Sequence, residues 1–279
     1  MDHIRVYATL DIEIDPYSIE NKDLFRDEKE LAEDRGWERW RRPSPEPMVD
    51  RYFKDAVVRS LSYAKPTLYG LIEQLANRVE RLFRKPHILI LAILRAGFPI
   101  SILLGNILKK RGYRVSIGAL SLFQEVGWDR KALRSALEEH PNTPVLFVDG
   151  WTSRGSVANM LSQSYKRWIE DGNTPFFYKF AVLLDPFGFA DLSASLTDQL
   201  IPTAFFTAPE SLGFSRGFIV DPKEMFHVYR YPQTYFEKRY WEILLTPESG
   251  KSIMPYLILG CTPSHFNFCL NLDKITQVN

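Results

Sequence analysis

Leu146-Phe147-Val148-Asp149-Gly150-Trp151-Thr152-Ser153-Arg154-Gly155-Ser156 is the stretch whose reading decides the fold. An apolar run of buried-strand type ends at a carboxylate, a short loop of hydroxyls and glycine follows, and a helical pattern opens at Val157-Ala158. The first amides of a helix have no intrahelical acceptor and sit at the positive end of its dipole, so such a loop holds an anion without a cationic side chain. Glycine allows close approach, and Thr152, Ser153 and Ser156 add hydroxyl donors. Asp149 repels a phosphate but accepts hydrogen bonds from sugar hydroxyls, and it stands where open α/β sheets place ligands. Carboxylate and amide nest together describe a site for a phosphorylated ribose. The competing reading is an ordinary strand-turn-helix connection with capping hydroxyls.

A second segment repeats the pattern. His87 to Leu94 reads as a strand buried on both faces, it stops at Arg95-Ala96-Gly97, and an apolar helix with Ile102, Leu103, Leu104, Ile107 and Leu108 follows, ending in Lys109-Lys110-Arg111-Gly112. Tyr113 to Leu122 is the next expected strand. Phe123 to Trp128 reads as a mobile loop, Asp129 as a cap for a helix to His140, Val157 to Glu170 as helix, and Phe177 to Leu184 as a strand ending at Asp185-Pro186. Strands and helices alternating at this spacing predict a parallel sheet with helices on both faces.

The loop after Leu146 resembles the diphosphate-sugar motif of type I phosphoribosyltransferases, and Leu94-Arg95-Ala96-Gly97 resembles the pyrophosphate loop of uracil phosphoribosyltransferases. Across roughly residues 15 to 240 the chain resembles a family of bacterial stress-operon proteins described both as phosphoribosyltransferase-like and as cysteine protease StiP. The resemblance rests on Leu94-Arg95-Ala96-Gly97-Phe98-Pro99-Ile100, Val148-Asp149-Gly150-Trp151-Thr152 with Gly155, Ala181-Val182-Leu183-Leu184-Asp185-Pro186 and Leu200-Ile201-Pro202. It implies a Rossmann-like, type I phosphoribosyltransferase-like core binding 5-phosphoribosyl 1-pyrophosphate or a related phosphosugar, with magnesium carried on the substrate and no protein metal cage. It also implies Asp149 and Arg95 as catalytic residues, with Ala96, Gly97, Gly150, Trp151, Thr152, Ser153, Arg154, Gly155, Ser156 and Asp185 binding substrate.

Two departures from these patterns stand out. The transferase motif has two adjacent acids where this chain has Asp149-Gly150, and the stress-operon family usually has Gly-Lys-Gly-Ala where this chain has Ser153-Arg154-Gly155-Ser156. Gly150 supports an alternative, a non-catalytic phosphoribosyl-binding module. A cysteine hydrolase ranks last, because the only cysteines are Cys261 and Cys269.

With 279 residues, 45% of them hydrophobic, the chain can bury a full core. A net charge of +1 gives no field that steers it to nucleic acid, and no uncharged stretch is long enough to span a bilayer. Two cysteines are too few for a disulfide framework, so a reducing cytoplasm is the expected compartment. A homodimer is allowed by the reading. Three parts are expected: a charged helical N-terminal region over 1–84, the α/β core over 85–245, and an apolar tail over 246–279. In the first part, Trp37 and Trp40 read as core anchors on one helix face, with a nucleobase platform as the competing reading, the prolines at 43, 45 and 47 as a stiff break, and two helices as following over Val49–Ala64 and Thr67–Arg84. A base pocket is expected from Asp185, Thr207 to Arg216 and Phe187 or Phe189, with strand-end turn and core packing as the competing readings. His227 reads as a partly buried structural histidine.

Overall fold

The computed structural model describes residues 3–84, 86–199 and 201–246, together with a strand at Tyr256–Leu259. The strands and helices in chain order are β1 (His3–Val6), β2 (Thr9–Glu13), α1 (Glu28–Glu33), α2 (Arg51–Leu82), β3 (His87–Ile93), α3 (Gly97–Lys110), β4 (Arg114–Leu120), β5 (Leu122–Phe123), β6 (Gly127–Trp128) and α4 (Arg130–Glu139). They continue with β7 (Val145–Trp151), α5 (Ser156–Glu170), β8 (Tyr178–Leu184), β9 (Leu192–Ser195), α6 (Thr203–Thr207), α7 (Pro209–Leu212), β10 (His227–Arg230), α8 (Lys238–Leu245) and β11 (Tyr256–Leu259).

The central sheet has seven strands among the described residues, in the order β11-β1-β4-β3-β7-β8-β9, and every neighbouring pair is parallel. Parallel strands covered on both faces need continuous apolar runs, and β3 supplies one in Ile88 to Ile93, all buried. Alternate side chains enter two cores. Ile88, Ile90, Leu146 and Val148 join α2, α3 and α8 on one face, while Leu89, Leu91, Phe147 and Val182 join α4 and α5 on the other. Strand β3 lies between β4, which follows it, and β7, which follows β4. The chain therefore reverses direction across the sheet at β3, and a crevice opens at the C-terminal ends of the strands there.

The expected α/β class with a parallel sheet and flanking helices is present. The N-terminal region is less helical than its charge pattern suggested: β1 is an internal strand of the central sheet, β2 pairs with β10, and the helical pieces between Ile19 and Trp40 are short. Period-two signals in strands of four and five residues are too brief to stand out beside charge alternation. The two helices expected around Pro66 are one helix, α2, 32 residues long. Its stripe of Val57, Leu61, Leu68, Leu71, Ile72, Leu75 and Val79 is buried along its length, and this shared packing outweighs the one amide that Pro66 removes. Phe123 to Trp128, expected as a mobile loop, forms the β5–β6 hairpin. Among the described residues, no helix is long and apolar enough to cross a membrane. The expected apolar tail, with Cys261 and Cys269, lies outside the described residues apart from Thr246 and the β11 backbone.

Candidate phosphate-sugar site

A cavity of about 360 Å³ occupies the crevice at the reversal point, lined by segments that follow three adjacent strands: Leu94 to Ala96 after β3, Ser121 to Phe123 after β4, and Asp149 with Trp151 to Ser153 at the end of β7. Ser156 and Val157 of α5, Thr207, Arg216 and Gly217 complete the wall, and the N-terminal segment adds Arg26, Trp40, Arg42, Pro43 and Ser44. Both turns singled out in the sequence thus open into one cavity.

The turn after β7 is built to leave donors free. Gly155 caps α5 at φ +71 with no side-chain capping bond, so the helix begins with its first amides uncovered. Thr152 is 3% exposed, and its hydroxyl is buried without a hydrogen-bond partner. Its backbone amide, expected as part of the cradle, instead donates to the Leu184 carbonyl at 3.0 Å and extends the sheet. Amide donation to an anion therefore falls to Ser153 onward. A Cβ at Gly155 would meet the Phe189 ring at 2.5 Å, so the left-handed backbone angle favours glycine and any side chain would have to displace that ring. Arg154 is exposed and does not line the cavity.

Asp149 accepts a hydrogen bond from the Gly150 amide at 2.7 Å. Burial pushes its carboxyl up to about 7, against the lowering effect of that bond. Along β7, side chains alternate between the two faces of the sheet, so Gly150 looks away from Asp149. A Cβ there would stand 3.4 Å from the Ala96 Cβ and 3.7 Å from Ile100 Cδ1. The position where the transferase motif carries its second acid thus faces the start of α3.

The turn after β3 is closed. Arg95 is buried and clamped by Glu46, with Nη1 donating to Oε1 at 2.7 Å and Nη2 to Oε2 at 3.2 Å. Tyr231 donates its hydroxyl to the same Glu46 Oε1 at 3.1 Å. Gly97 does not present its backbone to the cavity: a Cβ would lie 1.9 Å from the Val148 carbonyl oxygen, so the glycine lets α3 start against β7. Asp185 is also spent internally. Its carboxylate accepts from the Gly188 and Ala190 amides at 2.8 and 2.7 Å, it is fully buried, and it does not line the cavity, which makes it a strand-end turn. Phe187 and Phe189 lie outside the cavity too, and His227 is buried against Phe218.

The N-terminal roof was not legible in the sequence. Glu46 stands between prolines in an extended strap, 49 residues before Arg95, and no local pattern pairs them. Trp40, expected as a core anchor, tilts over Phe123 with ring centroids 4.8 Å apart and lines the cavity. Arg42 pairs with Glu30, whereas Arg26 is buried, and among the described residues its guanidinium donates to the Glu30 carbonyl alone. Arg216 has no hydrogen bond or salt bridge from its guanidinium among the described residues. Burial holds it below the ordinary arginine range, and the nearby Arg95 adds to that effect.

The family model described as "Tellurite-like stress resistance cysteine protease StiP" matches residues 13–238. The chain belongs to the StiP family. A curated relative, the "Cysteine protease StiP" of Acinetobacter baylyi, is 32% identical over 149 residues, covering 52% of this chain and 37% of that protein. The chain thus spans well under half the length of the curated StiP protein it matches. Among solved structures, the hypoxanthine phosphoribosyltransferase of Trypanosoma cruzi is similar over 47% of this chain and 77% of that one, with 17% identity and a TM-score of 0.37. The same enzyme in complex with the product IMP aligns over 47% and 72%, with 16% identity and a TM-score of 0.35. The segment matching the StiP family model contains no cysteine.

Proposed function

We propose that this StiP-family chain binds 5-phosphoribosyl 1-pyrophosphate and transfers its phosphoribosyl group to a base-like acceptor. One observation carries the reading: an uncapped helix start, Thr152 with its buried, unpartnered hydroxyl, and the half-buried carboxylate Asp149 line the same cavity. The loop from Ser153 to Ser156, with Thr152 Oγ1, suits the 5′-phosphate. Asp149 suits the ribose hydroxyls, and its charge favours the cationic character that grows on the sugar as pyrophosphate departs.

Among the described residues, no three His, Cys, Asp or Glu side chains converge. Asp149 is the one carboxylate among the described residues on the cavity wall, so a magnesium ion would take it as its protein oxygen and draw its other ligands from substrate and water. When bound, magnesium neutralises charge on the leaving pyrophosphate. Arg95 contributes as the buried partner of Glu46, an arrangement that orients the turn and limits the charge left for a ligand. This last feature favours a second reading, a binding module of the same specificity without turnover. The protease named in the family description needs a thiol, which only Cys261 and Cys269 supply.

Calorimetric titration with ribose 5-phosphate tests the cradle, and pyrophosphate release from 5-phosphoribosyl 1-pyrophosphate with magnesium and a panel of bases tests transfer. Binding with release supports the enzyme; binding without release across the panel supports the module. Failure of both ligands to bind overturns both readings. Peptidase activity abolished by combining Cys261→Ser with Cys269→Ser would support the protease.

A further inference from the structure

Once the phosphate loop and Asp149 are assigned to the sugar donor, a second set of groups on the same wall has no role. Arg216 lines the cavity with no hydrogen bond or salt bridge from its guanidinium among the described residues. Arg26 is 7% exposed, faces no carboxylate within salt-bridge distance among the described residues, and keeps a buried Nε without a partner. Ser121, 3% exposed, likewise has a buried hydroxyl without a partner. Gly217 closes on that hydroxyl: a Cβ at 217 would lie 2.2 Å from Ser121 Oγ and 3.1 Å from Phe123 Cζ. The contact fixes Arg216 beside the β4 turn, and the neighbouring Ile219 amide donates to the Trp40 carbonyl at 2.7 Å, drawing Trp40 and Phe123 into the same wall.

Resting on the phosphoribosyl reading, we propose that this part of the cavity binds the acceptor, and that the acceptor is a planar nitrogen heterocycle carrying a carboxylate. A neutral base would leave the Arg216 guanidinium, the buried Arg26 Nε and the buried Ser121 hydroxyl without an anion or acceptor, although Arg26 Nη2 already donates to the Glu30 carbonyl at 2.9 Å. A ring carboxylate supplies the missing anion, and a planar guanidinium such as that of Arg216 meets it in two parallel hydrogen bonds. The Trp40 and Phe123 rings offer an apolar wall for the heterocycle. Pyrophosphate would meet the charge but make no use of the aromatic wall. In the transfer, a ring nitrogen forms the bond to the anomeric carbon as the bond to the pyrophosphate oxygen breaks. The electron pair leaves on pyrophosphate, and any proton on the attacking nitrogen passes to water.

Matched pairs titrated into the full chain, with and without ribose 5-phosphate, test this: orotate against uracil, and nicotinate against nicotinamide. In at least one pair the acid should bind tenfold or more tighter than its uncharged partner. Arg216→Gln and Ser121→Ala, each checked for native circular dichroism, should cut that preference below threefold while ribose 5-phosphate and pyrophosphate affinities stay within twofold of wild type. Arg216→Lys should keep part of the preference. Equal affinity within both pairs, or no binding of either acid, overturns the proposal. So does an Arg216→Gln variant that loses pyrophosphate affinity by the same factor, which would give the arginine to the leaving group. A wild type that shows the acid preference but ignores ribose 5-phosphate sinks the transferase reading and leaves the acid site standing.

Discussion

The two strand-to-helix turns at the cavity share a sequence pattern and differ in state. After β3, the turn has its arginine held by Glu46 and its glycine wedged against the Val148 carbonyl. After β7, the turn has an uncapped helix start, a buried hydroxyl without a partner and a left-handed glycine. The first is satisfied from within the fold, whereas the second has donors that the fold leaves for solvent or a ligand. A motif of apolar strand, short loop and helix therefore locates a site without saying which of its groups are free.

The sharpest way to break the comparison is Gly97→Ala. A methyl group 1.9 Å from a backbone oxygen cannot be relieved by a rotamer change, and urea unfolding should show a loss of more than about 4 kcal/mol or no folded protein. Glu46→Ala leaves Arg95 buried without a counter-ion and should cost about 3 kcal/mol. If the closed turn is otherwise a competent anion site, sulfate will restore much of that loss in the variant and much less in wild type, read as the shift in urea midpoint. Gly155→Val, in the open turn, should cost about 2 kcal/mol, because strain at φ +71 is joined by a contact with a side-chain ring that can move aside. The same variant should lose ribose 5-phosphate binding.

Asp149→Asn reverses the sign. The native carboxyl sits at about 7, above its unfolded value near 4, so its neutral form is favoured in the fold. Below about pH 4 both states hold the proton and wild type and variant should be equally stable. As pH rises toward 7 and beyond, wild type should lose roughly 1–2 kcal/mol relative to Asn, allowing for solvent screening. Parallel stability curves from pH 4 to 8 would contradict the burial of this charge. Gly150→Ala should change stability by under about 0.5 kcal/mol, since its contacts with Ala96 and Ile100 are close to ordinary ones. Set beside Gly97→Ala, it separates a glycine required for packing from one that is not.

The sheet and both turns were legible because each depends on neighbours in sequence: six buried apolar residues in β3, four in β7 before Asp149, and helical spacing in α3 and α5. What local pattern could not carry was partnership over distance. Glu46 with Arg95, the Trp40 ring on Phe123, and Gly217 against Ser121 join residues dozens of positions apart. Asp185 shows the reverse failure, for a carboxylate at a strand end looks the same whether it awaits a ligand or has already taken two amides. Strand β1 escaped notice because four residues give too little alternation to read.

The placement of β1 makes this fold difficult to shorten. A chain trimmed to begin at Asp50 would keep β3, β4, β7, β8 and their helices, yet expose the flank of β4 that β1 now covers. It would also lose Glu46, Arg26 and Arg42 from around the cavity. The α/β core is accordingly not a transplantable module: an unpaired strand flank would invite self-association, and Arg95 would be left seeking another anion. Grafting or truncation must carry the N-terminal segment with the sheet.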